Sequence, residues 1–332
     1  MEILETVGID ISKKVIDTHL HKRDLYQQFE NNKKGFKQMV KWLEKNNDVP
    51  TENLMFAMEH TGIYCNNLSL FLSEESFNYV ILPGLEIKQS MGMTRGKNDK
   101  ADAKRIALYA YEKRDRLKSH VQSSESTLKL KRLFSLRERM VKQRAGYKMS
   151  LKEQSEILSK SENKLLLKIQ KELIKYLTKE IDIIEKEIET IVNEDETLKS
   201  QYDLIITIKG VGKQTALYMI VFTEGFKKFD SWRKFASYCG IAPFPNTSGS
   251  SVRGRTKVSH LANKKLKSLL DLCAKSSIQY NEEMKLYYQK RINLGKNKMS
   301  TINIIRNKIL ARIFAVINRK SPYVDLMKYA AN

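Results

Sequence analysis

Two aspartates stand three positions apart at the start of a predicted helix in KNDKADAKRIALYA, residues 97–110. Positions i and i+3 share a helix face, and like charges so close together are mildly destabilising. Asp99 could be the N-cap and Asp102 its partner in the first turn, both favoured by free N–H groups and the macrodipole. Alternatively, they are ligands of a divalent cation that holds the carboxylates together, which requires more carboxylates from elsewhere in the chain.

Two further acids follow apolar stretches that are typical of buried strands. Asp10 ends VGID, and Glu59 ends FAME. A charge at the edge of a buried sheet is costly unless it is paired or bound to a metal. If these acids meet Asp99 and Asp102, hard oxygen ligands of this kind select Mg²⁺ or Mn²⁺. Such ions can activate an attacking oxygen and stabilise a leaving one in phosphodiester chemistry.

The charge balance indicates an anionic partner. The chain has 332 residues, with 60 Lys and Arg against 38 Asp and Glu, and a formal net charge of +22. The excess is uneven, because residues 251–320 hold 17 basic and three acidic residues. A face this one-sided is typical of a protein that binds nucleic-acid phosphates.

The cysteines and the apolar runs indicate a reducing compartment. Cys65, Cys239 and Cys273 are far apart and have no CxxC or Cys/His spacing, which excludes a zinc ribbon and favours buried thiols. The N-terminus lacks the basic and apolar signature of a signal peptide, and no apolar run approaches the roughly 18 residues of a membrane span. We therefore expect a cytoplasmic protein that can reach the chromosome, with no membrane partner.

The elements that must position the acids are predicted within residues 1–121. Short alternating runs at residues 3–9, 14–21 and 24–29 predict three strands joined by tight turns. A helix, a strand, a helix, a strand and a last helix, which begins near Asp99, follow in that order. This order is that of an RNase-H-like, or RuvC-like, α/β domain with a mixed sheet, in which the first and fourth strands are neighbours. The four carboxylates are then expected to converge.

Residues 122–200 have the composition of long helices, with no proline and a single glycine. Their apolar residues step by threes and fours, at Leu166, Ile169, Leu173, Leu177, Ile181, Ile184, Ile188 and Ile191. This spacing predicts a helical hairpin or coiled coil. The pattern leaves open whether the seam packs within one chain or between two.

Residues 201–332 are predicted to form a third, mainly helical domain. Gly210 and Gly212 lie between two apolar helical patterns, in the sequence form of a helix-hairpin-helix. Such a turn presents backbone N–H groups to a phosphate, and Lys209 and Lys213 flank it. Glycine after a helix is also common for steric reasons, so a purely structural role stays open.

Five motifs together carry a resemblance to a known family. GIDISKKVID, EHTGIY, KNDKADA, IKGVGKQTA and YCGIAPFPNTSG, in this order over nearly the whole chain, resemble the DEDD transposases of the insertion-sequence one-ten family, relatives of the pilin-gene invertase. The resemblance implies a bacterial, nucleoid-associated DNA recombinase. It also implies that the catalytic, metal-binding DEDD carboxylates are Asp10, Glu59, Asp99 and Asp102.

The resemblance implies a second catalytic centre in the C-terminal domain. The family motif P-x4-S-G is matched by Pro243 and Ser248-Gly249, which makes Ser248 the expected nucleophile. From the residues alone, NTSGSS is also a polar loop, in which Ser250 and Ser251 are equal candidates.

Basic residues follow this serine-rich segment. Arg253, Arg255 and Lys257 are placed to neutralise a scissile phosphate. The chain departs from the family pattern further on, with Lys267 where an arginine is expected. The lysine ammonium group cannot form the two parallel hydrogen bonds that an arginine makes to a phosphate, so a phosphate contact at this position would have a different geometry.

Members of this family are guided by a structured RNA from their own element, the bridge RNA, which pairs with donor and target DNA. The resemblance therefore implies donor DNA, target DNA and a bridge RNA as partners, with a homo-oligomer, dimer or tetramer, as the working form. A basic RNase-H-like domain with a coiled coil is compatible with RNA bound by shape and backbone contacts.

Three hypotheses follow from the sequence. The first is a recombinase that combines a metal-bound DEDD site with a serine nucleophile. The second is a metal-dependent junction-resolving or RNase-H-like nuclease that uses the carboxylates and water, without a covalent intermediate. The third is a non-catalytic nucleic-acid scaffold whose acids are helix caps. The first is favoured because the acids at predicted sheet edges and the Pro-x4-Ser-Gly motif support it independently.

Overall fold

The computed structural model describes residues 2–90, 98–159, 161–248 and 252–325, and the chain divides into two compact units, Met1–Gln122 and Ser123–Asn332. The elements of the first unit are β1 Glu5–Ile11, β2 Val15–Leu20, β3 Leu25–Glu30, α1 Lys33–Asn46, β4 Leu54–Glu59, α2 Asn66–Glu74, β5 Tyr79–Leu82, α3 Gly84–Ser90 and α4 Asp99–Lys113. Those of the second unit are α5 Glu125–Ile157, α6 Lys164–Glu194, α7 Glu196–Ile206, α8 Lys213–Phe222, α9 Trp232–Tyr238, β6 Pro243–Ser248, β7 Val252–Val258, α10 Lys264–Tyr280, α11 Glu282–Asn293 and α12 Lys298–Arg319.

The first unit is built on a five-stranded mixed sheet with the strand order β3-β2-β1-β4-β5. β2 is antiparallel to β1 and to β3, whereas β4 is parallel to β1 and β5 is parallel to β4. The predicted mixed sheet is confirmed, and the first and fourth strands are neighbours. Because β1 and β4 are parallel, their carboxyl ends meet at one edge of the sheet.

Side chains that alternate along the strands build a core on each face of the sheet. Ile9 of β1 belongs to a cluster that includes Phe36 of α1 and Leu68 of α2. On the other face, Ala57 of β4 belongs to a cluster that includes Ile106 of α4. Because successive side chains of a strand point to opposite faces of the sheet, α4 packs on one face, and α1 and α2 pack on the other.

The second unit is mainly helical, as predicted, and has one continuous apolar core. The seam of α6 is buried over its later part at Leu177, Ile181, Ile184, Ile188 and Ile191, whereas Leu166 and Ile169 near its start are 41% and 47% exposed. The later part of the seam therefore packs within the chain. Among the described helices, none combines the length and the low charge needed to cross a bilayer.

A two-stranded antiparallel sheet, β6 and β7, interrupts the helices of the second unit and was not predicted. Its pairing shifts between Phe244 and Asn246, at Pro245. Proline lacks an N–H group and is tolerated in a strand only at an edge or an irregularity. Both strands of a two-stranded sheet are edge strands, so this sheet tolerates the prolines of β6. The same prolines argue against a strand in the sequence, which is why β6 was not predicted.

The three cysteines are free and buried, as the sequence predicts. Burial raises the pKa of the thiols of Cys65, Cys239 and Cys273. Thiols of this kind are inert packing groups because the reactive thiolate is disfavoured away from water.

Candidate active site

Three of the predicted acids come together at the carboxyl end of β1. Asp10 is the next-to-last residue of β1, and Asp99 and Asp102 lie in the first turn of α4. One carboxylate oxygen from each of these side chains lies within 4.8 Å of the other two. Asp10 and Asp102 are partly buried, and Asp99 is exposed. The cluster is therefore open to a ligand on the Asp99 side.

A glycine in β1 allows α4 to bring its aspartates to this position. An ideal Cβ on Gly8 would lie 2.2 Å from the carbonyl oxygen of Ala103 and 2.3 Å from the backbone nitrogen of Ala107. The backbone of α4 therefore rests directly on the backbone of β1. The contact is completed by Thr6, whose hydroxyl donates to the carbonyl of Ala107 at 2.9 Å.

Asn98, and not Asp99, caps the helix. Asn98 has an extended backbone, and its side-chain oxygen accepts the N–H of Lys100 at 3.0 Å. The alternative in which Asp99 is the N-cap is wrong, because Asp99 is already the first helical residue. Asp102 accepts a hydrogen bond of 2.8 Å from the guanidinium of Arg105, one turn further along the same helix. The carboxylate of Asp99 is thus not required for capping.

Glu59 lies beside the three aspartates. It is the last residue of β4, and the parallel register pairs the preceding Met58 with Ile9, so Glu59 is level with Asp10 on the next strand. Its carboxylate occupies the space where a side chain at position 84 would begin, since an ideal Cβ on Gly84 would lie 2.0 Å from Oε1 of Glu59. Glu59 is outside the group that lies within 4.8 Å, but its charge acts on Asp10.

The acids repel one another. Burial, followed by the negative charges of Asp99 and Asp102, raises the pKa of Asp10 to about 6, with a smaller contribution from Glu59. A hydrogen bond from the Ile11 backbone acts in the opposite direction. A carboxyl group whose charge is disfavoured in this way is stabilised by a nearby cation, and clustered carboxylate oxygens are the ligands that Mg²⁺ and Mn²⁺ prefer. The donor set therefore fits a hard divalent metal.

One side chain ties together the segments that follow β1 and β4. The amide of Asn31 donates to the carbonyl of Ser12 at 2.8 Å and to the carbonyl of Tyr64 at 3.2 Å. Ser12 follows Asp10 by two residues, and Tyr64 follows Glu59 by five. These two hydrogen bonds tie together the segments that follow Asp10 and Glu59 in the chain.

In the second unit, Ser248 is the last residue of β6, and its backbone pairs with Val252 at the start of β7. The competing candidates Ser250 and Ser251 lie outside the described residues. Arg253, Arg255 and Lys257 occupy alternate positions of β7.

The predicted glycine turn joins α7 to α8. Gly210 has a φ of +92°, and an ideal Cβ there would lie 2.1 Å from Oγ of Ser277 on α10. Gly210 therefore has a packing role. Lys209 forms an ion pair of 2.8 Å with Asp325, and Lys213, whose side chain is 73% exposed, lies 3.6 Å from a carboxylate of α6.

Sequence reasoning missed Gly8, Gly84 and a fifth acid, Asp17. The register pairs Asp17 of β2 with Asp10. The signal for Asp17 was only partial, because the predicted strands 3–9 and 14–21 form a hairpin but leave its register to the turn, which the structure places at residues 12–14. No such signal exists for the glycines, whose importance depends on tertiary approach.

A carboxylate cluster on a mixed sheet, in a strongly basic chain, is typical of enzymes that act on nucleic-acid phosphodiester bonds. A DEDD family model of IS110 proteins, described as a transposase, matches residues 7–156, and a second, described as transposase IS116/IS110/IS902 family, matches residues 202–289. Together they span more than two thirds of the chain. The chain belongs to the IS110 family of transposases and is a DNA recombinase.

Relatives of known name agree with this assignment. Pilin gene-inverting proteins of Moraxella bovis and Moraxella lacunata are each 27% identical to this chain over 327 residues, covering 96% of the chain and 97% of the relative. An uncharacterized 43.6 kDa protein of insertion element IS110 from Streptomyces coelicolor is 24% identical over 124 residues, covering 37% of the chain and 30% of the relative. The similarity to the first two extends over both units.

Proposed function

We propose that this transposase cuts and rejoins DNA with two centres, a divalent metal held by the DEDD carboxylates and a serine nucleophile at Ser248. The single observation that supports the metal centre best is the approach of oxygens from Asp10, Asp99 and Asp102 to within 4.8 Å of one another. Three carboxylates this close repel one another unless a proton or a cation neutralises part of their charge, and a hard divalent cation fits their oxygens.

Asp10, Asp99 and Asp102 would hold the metal, and Glu59, whose carboxylate lies against Gly84 beside them, would be the fourth ligand. Mg²⁺ or Mn²⁺, when bound, would supply a Lewis acid for the scissile phosphate. In the metal-free protein Asp10 is half ionised near pH 6, since its pKa is raised to about 6, and a bound cation would favour its charged form. Arg105 holds the carboxylate of Asp102 in one orientation.

Ser248 would carry the covalent step. Its hydroxyl oxygen forms a bond to phosphorus while the bond from phosphorus to one sugar oxygen breaks, and the hydroxyl proton passes to a base as the leaving oxygen gains one. The phosphodiester energy is conserved in the phosphoserine bond, so the reverse reaction with another strand reseals DNA without ATP. The support for Ser248 is its place in the family motif, within the matched residues 202–289.

A nicked suicide substrate tests this proposal. The wild-type protein should yield a protein–DNA adduct that resists denaturant and maps to the peptide containing Ser248. Ser248→Ala should bind DNA and lose both cleavage and rejoining, whereas Ser250→Ala and Ser251→Ala serve as matched controls that keep both. An adduct that maps to Ser250 or Ser251 would relocate the nucleophile.

The same experiment separates the recombinase from the nuclease. If Ser248→Ala cleaves normally and no adduct forms, the protein is a metal-dependent hydrolytic nuclease and the serine mechanism is wrong. Asp10→Ala and Asp102→Ala should abolish cleavage under either mechanism. If they retain it, the carboxylates are not catalytic.

The basic segment of β7 would bind the DNA backbone. Replacing Arg253, Arg255 and Lys257 together should weaken binding to unrelated DNA sequences equally. Each lost phosphate contact lowers the slope of log affinity against log salt by about 0.9, so three contacts lower it by about 2.7. A changed base preference with an unchanged salt slope would contradict this role.

The turn at Gly210 and Gly212 would add a phosphate contact of the helix-hairpin-helix type, with Lys209 and Lys213 beside it. The exposed side chain of Lys213 supports this part of the proposal. Binding of DNA by Lys213→Ala with an unchanged salt slope would argue against it.

The partners and architecture complete the proposal. We propose that an RNase-H-like catalytic domain spans residues 1–121, a helical coiled-coil segment 122–200 and a C-terminal domain 201–332. The strand order with β1 beside β2 and β4 supports the first assignment. Donor DNA, target DNA and a structured bridge RNA are the proposed partners of a homodimer or homotetramer that acts at the nucleoid in the cytoplasm.

Co-purification with the non-coding transcript that flanks the gene tests the RNA partner. The expected result is an RNA that remains bound at moderate salt and without which strand exchange at specific sites is lost. Equal, site-specific exchange by RNA-free protein would show that the protein reads DNA by itself. Light scattering of both samples gives the number of chains.

A further inference from the structure

Asp17 lies in a row of polar residues that crosses the sheet next to the DEDD carboxylates. The register pairs Asp10 with Asp17 on β2 and Asp17 with Gln28 on β3. Residues directly opposite each other on neighbouring strands have their side chains on the same face. Gly8 of β1 faces α4, and so, two residues later, does Asp10. Asp17 therefore lies on the face that carries the catalytic cluster.

The structure stabilises a carboxylate at a costly position. The residue Asp17 is only 2% exposed. One of its oxygens accepts a hydrogen bond of 2.5 Å from the hydroxyl of Tyr26 and another of 3.0 Å from the side-chain amide of Gln28. Acids directly opposite each other on a sheet are destabilising, and a buried carboxylate is costly unless hydrogen-bonded. The two donors from β3 offset this cost.

The donor Tyr26 also lies close to the first turn of α4. The ammonium nitrogen of Lys100 is 5.1 Å from the centre of the Tyr26 ring, and Lys100 follows Asp99 directly. The hydrogen bond to Asp17, followed by burial, raises the pKa of Tyr26 to about 12, with a smaller effect from Asp99. The phenol thus remains a hydrogen-bond donor at physiological pH.

We propose that Asp17 is a positioning residue of the metal centre, whose charge and hydrogen-bond capacity support the cation held by the DEDD carboxylates. This inference rests on the proposed function. Asp17 would act through Asp10 and through the hydration shell of the cation, since Mg²⁺ keeps several waters in protein sites. Such outer partners of a metal site typically change its affinity by about 10- to 100-fold when they are mutated.

Asp17→Asn tests the proposal, because asparagine keeps the size and the accepting oxygen and removes only the charge. Titration of the full-length protein with Mn²⁺ by calorimetry should show an affinity at least about tenfold weaker than that of the wild type. Strand exchange should show a raised requirement for Mn²⁺ and recover at high Mn²⁺. The melting temperature without metal should change little, because a single side-chain oxygen accepts both the Tyr26 and the Gln28 hydrogen bonds, and asparagine keeps such an oxygen.

Two further variants keep the test decisive. Asp17→Glu retains the charge and should bind Mn²⁺ more tightly than Asp17→Asn. Asp48→Asn removes one acid from an exposed ion pair with Arg23, near the start of β4, and should bind like the wild type. If Asp17→Asn misfolds, Tyr26→Phe, which removes one donor to Asp17, should lower Mn²⁺ affinity by a few-fold.

The outcomes distinguish this inference from the metal centre itself. If the wild type binds no Mn²⁺, or Asp10→Asn binds it equally well, the metal centre is wrong. If the wild type binds, Asp10→Asn does not, and Asp17→Asn binds with wild-type affinity, only the role of Asp17 is overturned.

Discussion

A methyl group at position 8 would collide with the backbone of α4, so we expect Gly8→Ala to fold and to lose catalysis. The ideal Cβ lies 2.2 Å from the carbonyl oxygen of Ala103 and 2.3 Å from the nitrogen of Ala107. Both atoms belong to the helix backbone and cannot rotate away. The helix must therefore move off β1 as a body, and it carries Asp99 and Asp102 with it.

The size of this movement follows from the distances. Ordinary van der Waals contact begins near 3.4 Å, so α4 must retreat by about 1 Å. Overpacking of this kind costs about 1–3 kcal/mol, less than the free energy of unfolding of a typical domain. A displacement of about 1 Å between catalytic groups lowers rates by about 10²-fold. The variant should thus remain folded and lose most of its strand-exchange rate.

The assay is strand exchange at saturating Mg²⁺, with Mn²⁺ affinity and circular dichroism measured on the same preparation. Gly146→Ala is the matched control, because Gly146 lies in α5 with no atom within 4 Å of its ideal Cβ. It should retain full activity. The double variant Gly8→Ala/Ala107→Gly should not recover, since the collision is with backbone atoms. Near wild-type activity of Gly8→Ala would refute the view that Gly8 sets the position of the aspartates.

Three further predictions concern charge, side-chain position and the helix turn. The raised pKa of Asp10 means that the folded state gains stability from its protonation below pH 3.8 and loses that contribution as the pH rises through about 6. Asp10→Asn should therefore stabilise the metal-free protein at pH 7.5 by roughly 1 kcal/mol, after allowance for solvent screening, as measured by thermal melting. Gly84→Ala should displace the Glu59 carboxylate and lower Mn²⁺ affinity by about tenfold with little change in melting temperature. Gly210→Ala, at a positive φ and against Ser277, should lower the free energy of urea unfolding by roughly 1–3 kcal/mol.

Each of these predictions has its own control. The gain from Asp10→Asn should vanish below pH 3.8, and a gain that is equal at all pH values would show that the buried charge of Asp10 is not its cause. Unchanged metal affinity in Gly84→Ala would mean that Glu59 is not a ligand. Gly212→Ala, with no atom within 4 Å of its ideal Cβ, should unfold like the wild type, and an equal loss in both variants would exclude a specific effect at Gly210.

The features that the sequence predicts well are those set by local pattern. Alternation and apolar runs are enough to predict the mixed sheet and the helices of the second unit, because burial imposes a period on each element. Asp10 and Glu59 stood out because a charge after a buried strand is unusual. Asp99 and Asp102 stood out because two acids begin one helix.

The features that the sequence predicts poorly depend on contacts between distant segments. The cap at Asn98 differs by one residue from the alternative at Asp99, which is within the ordinary uncertainty of a helix boundary. The prolines of β6 hide a strand that only an edge position permits. Gly8 is required because the backbone of α4 packs against it, and Gly84 because the Glu59 side chain does. The residues next to each glycine in the sequence do not indicate these contacts.

The strand order also determines when the cluster can exist during synthesis. β1 lies in the middle of the sheet but leaves the ribosome first, and its parallel neighbour β4 and the covering helix α4 are made much later. A nascent chain that ends before Asp99 has Asp10 and no partner helix. Domains emerge and fold in order from the N-terminus, so a transposase that terminates before Asp99 holds no complete set of carboxylates. On the proposed function, the host chromosome is therefore not exposed to the metal centre until the segment through α4 has been translated.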